Sequence, residues 1–153
     1  MATALVVCIG NDLVADDGVG HAVYHALASR LQGNTNLKLL GLGGMSLLEE
    51  FQGEEHLIVV DAVQFGSAPG TIHVMDWSMI PSGGSHVSCH GIGIREAIEV
   101  SRKLYPETTP RTVHLVGIEG RCFDKLGEGL SIEVTAAVEP ATAAVLNLLA
   151  DWS

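Results

Sequence analysis

The sequence predicts an α/β fold: a three-layer α/β/α sandwich built on a mostly parallel, twisted sheet of about five strands, one of them antiparallel. Three observations predict it. Short apolar runs alternate along the chain with stretches whose apolar residues recur every three or four positions. The strongest runs, at 4–9 and 56–60, are strongly apolar and do not alternate, as strands covered on both faces are. The run at 71–75 alternates instead and follows a Pro69-Gly70 turn, as a returning, half-buried strand does.

The chain has 153 residues, 47% of them hydrophobic. That supports a single domain, 1–153, with a substantial core, and argues against disorder. Its net charge is −10, and Lys plus Arg total only 8. A nucleic-acid partner needs a basic footprint, so none is expected. No apolar stretch reads as long enough to cross a bilayer, and no basic segment precedes the first apolar run, so neither a membrane nor a secretory role is expected. Three cysteines, Cys8, Cys89 and Cys122, lack CxxC spacing and read as reduced thiols of a cytoplasmic protein.

The first strand, 4–9, leads into Gly10-Asn11 and then the acidic pair Asp16-Asp17. A helix over 18–30 follows, with Val19, Val23, Leu27 and their neighbours on its apolar stripe. The crossover therefore carries two carboxylates to the carboxyl end of strand one, the edge where open α/β sheets bind ligands. Acids before a helix also suit its dipole, which is explanation enough for one of the two. A second strand is expected at 37–40 and a short helix over 46–51. Between them, Gly41-Leu42-Gly43-Gly44 falls short of a dinucleotide fingerprint, because Ser46 takes the third glycine's place and the loop follows the second strand.

The third strand, 56–60, ends on Asp61. A carboxylate there either caps the loop or faces the crevice as a working group, and position alone does not choose. The strand at 71–75 is expected to return antiparallel beside the third. A long glycine-bearing loop, 78–88, then runs into Ser88-Cys89-His90-Gly91 ahead of a helix carrying Ile94, Ala97, Ile98 and Leu104. Near a helix N-terminus the neutral, ligand-competent imidazole is favoured. A loop histidine bonded to backbone is the commoner state. A fifth strand is expected at 112–116, a short helix capped by Ser131 as far as 138, and a last helix over 141–149 opened by Pro140.

Asp17 follows strand one, Asp61 ends strand three and His90 enters a later helix. If strands one and three are neighbours, the two acids share an edge and His90 closes a triangle with them. One nitrogen and two carboxylates suit a borderline divalent ion such as Zn²⁺, Ni²⁺, Mn²⁺ or Fe²⁺, with positions left for water or substrate. The other histidines carry less. His21 and His25 are one helical turn apart with no acid on their face, His73 and His114 lie within strands, and His86 is in the long loop. Cys89 beside His90 lacks a third, orienting group.

Gly10-Asn11-x-Leu13-x-x-Asp16-Asp17-Gly18-x-Gly20 resembles the opening signature of the hydrogenase maturation endopeptidases. The similarity continues through Val59-Val60-Asp61-Ala62, Pro69-Gly70, Ser88-Cys89-His90-Gly91-Ile92-Gly93, Val116-Gly117-Ile118-Glu119 and Gly129-Leu130-Ser131. The resemblance implies a peptidase that removes the C-terminal extension of a [NiFe]-hydrogenase large-subunit precursor after nickel insertion. It implies that the precursor's nickel is recognised by Asp17, Asp61 and His90, with Asp16 the alternative at the first position. Many members carry Asp-Gly-Gly-Thr where this chain has Leu42-Gly43-Gly44-Met45; if that Asp takes part in substrate selection, the departure implies a partner hydrogenase of a different group. A homologue that holds nickel as a checkpoint without cutting, and a nucleotide-binding domain using 41–44, are the alternative readings.

Overall fold

A computed structural model describes residues 3–11, 15–31, 33–41, 44–80, 94–121, 127 and 129–152. His86, Cys89, His90, Cys122 and Leu42 lie outside these residues. The apolar run Ala4–Ile9 forms β1, fully covered on both faces. A 3₁₀ turn, Ala15–Gly18, leads into helix α1, Val19–Ala28. Strand β2, Thr35–Leu40, is followed by a 3₁₀ segment, Gly44–Glu50. Then come β3, His56–Val63, β4, Ile72–Asp76, and a short 3₁₀ turn, Trp77–Met79. Helix α2, Ile94–Leu104, strand β5, Thr112–Glu119, and helix α3, Ile132–Asp151, complete the order.

The five strands form one sheet in the order β2-β1-β3-β5-β4. All neighbouring pairs are parallel except β4 with β5. The expected α/β/α sandwich with one antiparallel strand is therefore what forms. Alternation along each strand divides the core in two. Leu5, Val7, Leu57, Val59 and Leu115 face α2 and the segment Gly44–Glu50, while Val6, Cys8, Ile58, Val60 and Val116 face α1 and α3.

Two expectations are corrected. The antiparallel strand does not lie beside β3. Its register runs Ile72↔Ile118 to Asp76↔His114, so β5 sits between the two. The residues between β3 and β4 are too many for a tight hairpin and instead arch over the carboxyl end of β5. The arch is tied there by Gly70 N–H to Glu119 O at 2.8 Å and Glu119 N–H to Thr71 O at 2.9 Å. The burial pattern gives the reason. β5 is apolar and almost wholly covered, whereas β4 is half-exposed along its length, as an edge strand can be.

Likewise, the chain does not break at Pro140. One helix of 20 residues runs through it. Val134, Ala137, Ala141 and Val145 stay in phase across the proline and remain buried. Pro140 removes the hydrogen bond to the carbonyl of Ala136, but both residues lie on the exposed side, where water can take that carbonyl. By length and composition α3 is thus long and apolar enough to cross a membrane, which the sequence reading did not expect. In this fold its apolar stripe packs on α1 and β5.

Close backbone approach fixes the first crossover. A Cβ on Gly20 would lie 2.1 Å from the Ile9 carbonyl oxygen, so only glycine lets α1 start so near the end of β1. A Cβ on Gly10 would meet the Asp17 carbonyl oxygen at 2.7 Å. That carbonyl accepts the Asn11 N–H at 3.0 Å, which holds Asp17 close to the end of β1.

Candidate active site

Strand order reverses between β1 and β3: β1 leads through α1 to β2 on one side, and β3 lies on the other. Open α/β sheets bind ligands at the carboxyl ends of strands flanking such a switch point. Asp17 leaves β1 and Asp61 stands on β3, so the two acids flank it. The turn holding Asp17 also packs against β3. Asp61 is fully buried and Asp17 is 7% exposed.

Asp61 is not the terminal residue of its strand. β3 continues to Val63, and Asp61 pairs in register with Gly117. Alternation with Leu57, Val59 and Val63 directs Asp61 to the α2 side of the sheet. That is the side on which α2 begins at Ile94, four residues after His90. Among the described residues no three His, Cys, Asp or Glu side chains converge on one point, so two acids of the expected triad lie at the switch point and His90 falls outside the described residues.

Asp16 and Asp17 are adjacent but do different work. The Asp16 carboxylate accepts the Arg121 N–H at 2.7 Å, the Ser131 N–H at 2.7 Å and the Ser131 hydroxyl at 3.0 Å. It therefore ties the β1 exit to the β5 exit and to the start of α3. Ser131 occupies the N-cap position of α3 but makes no side-chain cap bond, because its hydroxyl is turned to Asp16. Ala15, just before the pair, has φ +36°, a left-handed conformation that strains a non-glycine residue. The three bonds on Asp16 hold it there.

Cys8 faces α1 and α3, on the side of the sheet opposite Asp61, and its thiol is pushed up to about 12, chiefly by burial and further by the charge of Asp61. It carries no thiolate at neutral pH and is no nucleophile.

Residues 21–148 match the hydrogenase maturation protease family, a span that begins just after Asp17 and takes in Asp61 and His90. The chain belongs to that family. The hydrogenase expression/formation protein HupM of Azotobacter chroococcum mcd 1 is 32% identical over 151 residues, 96% of this chain and 71% of that protein. The hydrogenase 2 maturation protease of Escherichia coli K12 is 30% identical over 149 residues, 95% of this chain and 89% of that protein. The hydrogenase maturating endopeptidase HybD from E. coli superposes with a TM-score of 0.82 at 28% identity, covering 100% of this chain and 94% of that one. As a hydrogenase maturation protease the chain is a peptide-bond hydrolase.

In this maturation protease, Arg95 anchors the segment that precedes residues 81–93. Its guanidinium donates to the Trp77 carbonyl at 3.1 Å and the Ile80 carbonyl at 2.9 Å, and it lies 4.9 Å from the Trp77 ring centroid. Ile80 and Ile94, on either side of 81–93, are buried in the same α2-side cluster. Arg95→Ala should cost about 1–3 kcal/mol, and Arg95→Lys should recover only part of it, since an ammonium can imitate the two bonds from Nη1 but lacks the planar group that lies over Trp77. Urea unfolding of the three proteins checks this.

The remaining histidines sort by position. His21 and His25 lie with ring centroids 6.0 Å apart on the partly exposed side of α1. His56 stacks on Trp152 at 4.3 Å, and His114 approaches the same ring at 5.4 Å, both at the sheet edge opposite the acids. Burial holds His114 below its ordinary value of 6.5; His56 adds to this and Asp76 opposes it. The unfolded chain therefore binds the His114 proton more tightly than the folded one. The contribution is complete above pH 6.5 and is lost as the pH falls toward the lowered value. Urea midpoints should drop between pH 7.5 and 5.5, and His114→Phe should flatten that drop.

One group near the acids was not singled out from the sequence. Glu119, at the end of β5, is 3% exposed and bonds His73 Nε2 at 3.1 Å. Glu119 stood inside a motif of the resemblance, and an acid closing a buried strand is the same signal that marked Asp61. His73 gave no signal beyond its place in a strand.

Proposed function

We propose that this chain is the endopeptidase that removes the C-terminal extension of a [NiFe]-hydrogenase large-subunit precursor in the cytoplasm after nickel insertion. The observation that carries the reading is the placement of Asp17 and Asp61, two buried acids, on either side of the sheet's switch point. In this reading Asp17, Asp61 and His90 hold the precursor's own nickel through its open positions, so the metal arrives with the substrate. Two carboxylates and an imidazole suit such a borderline ion. Carboxylates of Asp17 or Asp61 not engaged by the metal can act as general base toward the attacking water.

The relatives' names support the substrate class, since they are maturation proteases and expression/formation proteins of hydrogenases. The glycine run 41–44 follows the edge strand β2 rather than β1, away from the place where a dinucleotide loop belongs. The test is the intact mass of the large subunits in strains with this gene intact, deleted, or carrying Asp61→Asn. A precursor that keeps its tail in the last two supports the reading. Normal processing of every large subunit in the deletion strain would sink it and leave the non-cutting checkpoint.

A further inference from the structure

We propose that Glu119 and His73 are positioning residues for substrate, stapling the arch 64–70 so that it forms a fixed seat for the precursor segment leading to the scissile bond. This rests on the peptidase reading above. The arch starts just beyond Asp61 on the same strand and spans the carboxyl end of β5, so it lies on the edge that carries both acids.

The staple is a buried network. Both carboxylate oxygens of Glu119 accept the Phe65 N–H, at 3.1 and 3.0 Å. Oε1 also meets His73 Nε2 at 3.1 Å, with His73 15% and Glu119 4% exposed at their side chains. The His73 ring in turn packs edge-on against Phe65, with centroids 5.0 Å apart and planes at 73°. At its far end the arch is tied by Gly70 N–H to Glu119 O at 2.8 Å. It closes internally through the Thr71 hydroxyl to Ala68 O at 2.6 Å. One residue thus holds both ends, by its side chain at Phe65 and its backbone at Gly70.

His73 stands in the same row as Asp61, two strands away across Gly117. It does not reach Asp61 through that gap, because the Val63 methyls fill it, at 2.9 and 3.2 Å from where a Gly117 Cβ would be. The pair therefore acts on the arch and not on the acid. The arch suits a peptide. Gln64, Gly66, Ser67 and Ala68 are exposed, and the stretch 64–70 carries no charge in a chain whose net charge is −10. An uncharged surface ordered in advance accepts an extended segment without paying again for loop ordering.

The experiment measures binding and cleavage of the hydrogenase large-subunit precursor encoded in the same genome, with its C-terminal extension, by wild type, Glu119→Leu, Glu119→Gln, His73→Leu and His73→Gln. The expected result is about a tenfold rise in Kd and KM for both leucine variants with kcat within about twofold. The glutamine variants should bind within about twofold of wild type, because a Gln at 119 still accepts the Phe65 N–H and one at 73 still donates to Glu119. Should Glu119→Leu fail to fold, His73→Leu decides on the same terms. Leucine variants with unchanged Kd and KM would overturn the proposal, as would a kcat loss without a binding loss. Precursor bound and weakened as expected but never cut by wild type would sink the peptidase reading and keep the seat. Wild type that binds no precursor would overturn both.

Discussion

Asp61→Asn is expected to slow removal of the precursor's extension by about 10²-fold or more while changing stability by less than about 2 kcal/mol. The first half follows from charge. Asn keeps the size of the side chain and one carbonyl acceptor but loses the negative charge that a metal-bound substrate, or a general base, requires. The second half follows from burial. Asp61 is fully buried on a central strand, where a large-to-small change would leave a cavity, and Asn avoids one. Asp61→Leu would confuse the two effects by changing shape as well. Single-turnover cleavage of the precursor, set beside urea unfolding of the same protein, separates them. A variant that cleaves at the parental rate removes Asp61 from the chemistry whatever its stability. Repeating the assay on precursor made without nickel distinguishes the acid's two possible tasks. If Asp61 serves only to read the metal, wild type on nickel-free precursor and Asp61→Asn on loaded precursor should be slowed alike.

The layered fold was legible in the sequence because its strongest signals are local. The continuous run at β1, the run at β3 and the stripe on α1 each name their element without reference to the rest of the chain. What was not legible depended on partners remote in sequence. Nothing near residues 71–75 says that β5 rather than β3 will lie beside them; that is settled by a strand nearly forty residues later. Pro140 reads locally as a helix start, yet the buried stripe on both sides of it outweighs one lost hydrogen bond on the exposed face. The same division applies to the acids. Asp17 and Asp61 could be nominated from the apolar runs they follow, although β3 continues two residues past Asp61. The roles of Asp16 and Glu119 are fixed by backbone groups of Arg121, Ser131 and Phe65, more than fifty residues away in each case.

Asp16 yields the largest expected effect on stability. Asp16→Ala should cost about 3–5 kcal/mol, a large share of the 5–15 kcal/mol typical of a domain. Two backbone N–H groups and a hydroxyl lose their acceptor in a site with no solvent access to the carboxylate. The strained Ala15 loses the bonds that hold it, and the tie among the β1 exit, the β5 exit and α3 is cut at once. Asp16→Asn should be nearly as damaging, because the site requires an acceptor on each oxygen: Arg121 N–H faces one and Ser131 N–H the other. An amide presents an acceptor to one of them and its own donor to the other. At positions 17 and 61 the same Asp-to-Asn change should instead spare the fold and remove activity. Urea unfolding of the three Asn variants, paired with precursor cleavage, therefore sorts the acids by function. If Asp16→Asn unfolds like wild type and fails to cleave, while Asp17→Asn cleaves normally, the first substrate-facing acid is Asp16 and the tie to Ser131 is secondary.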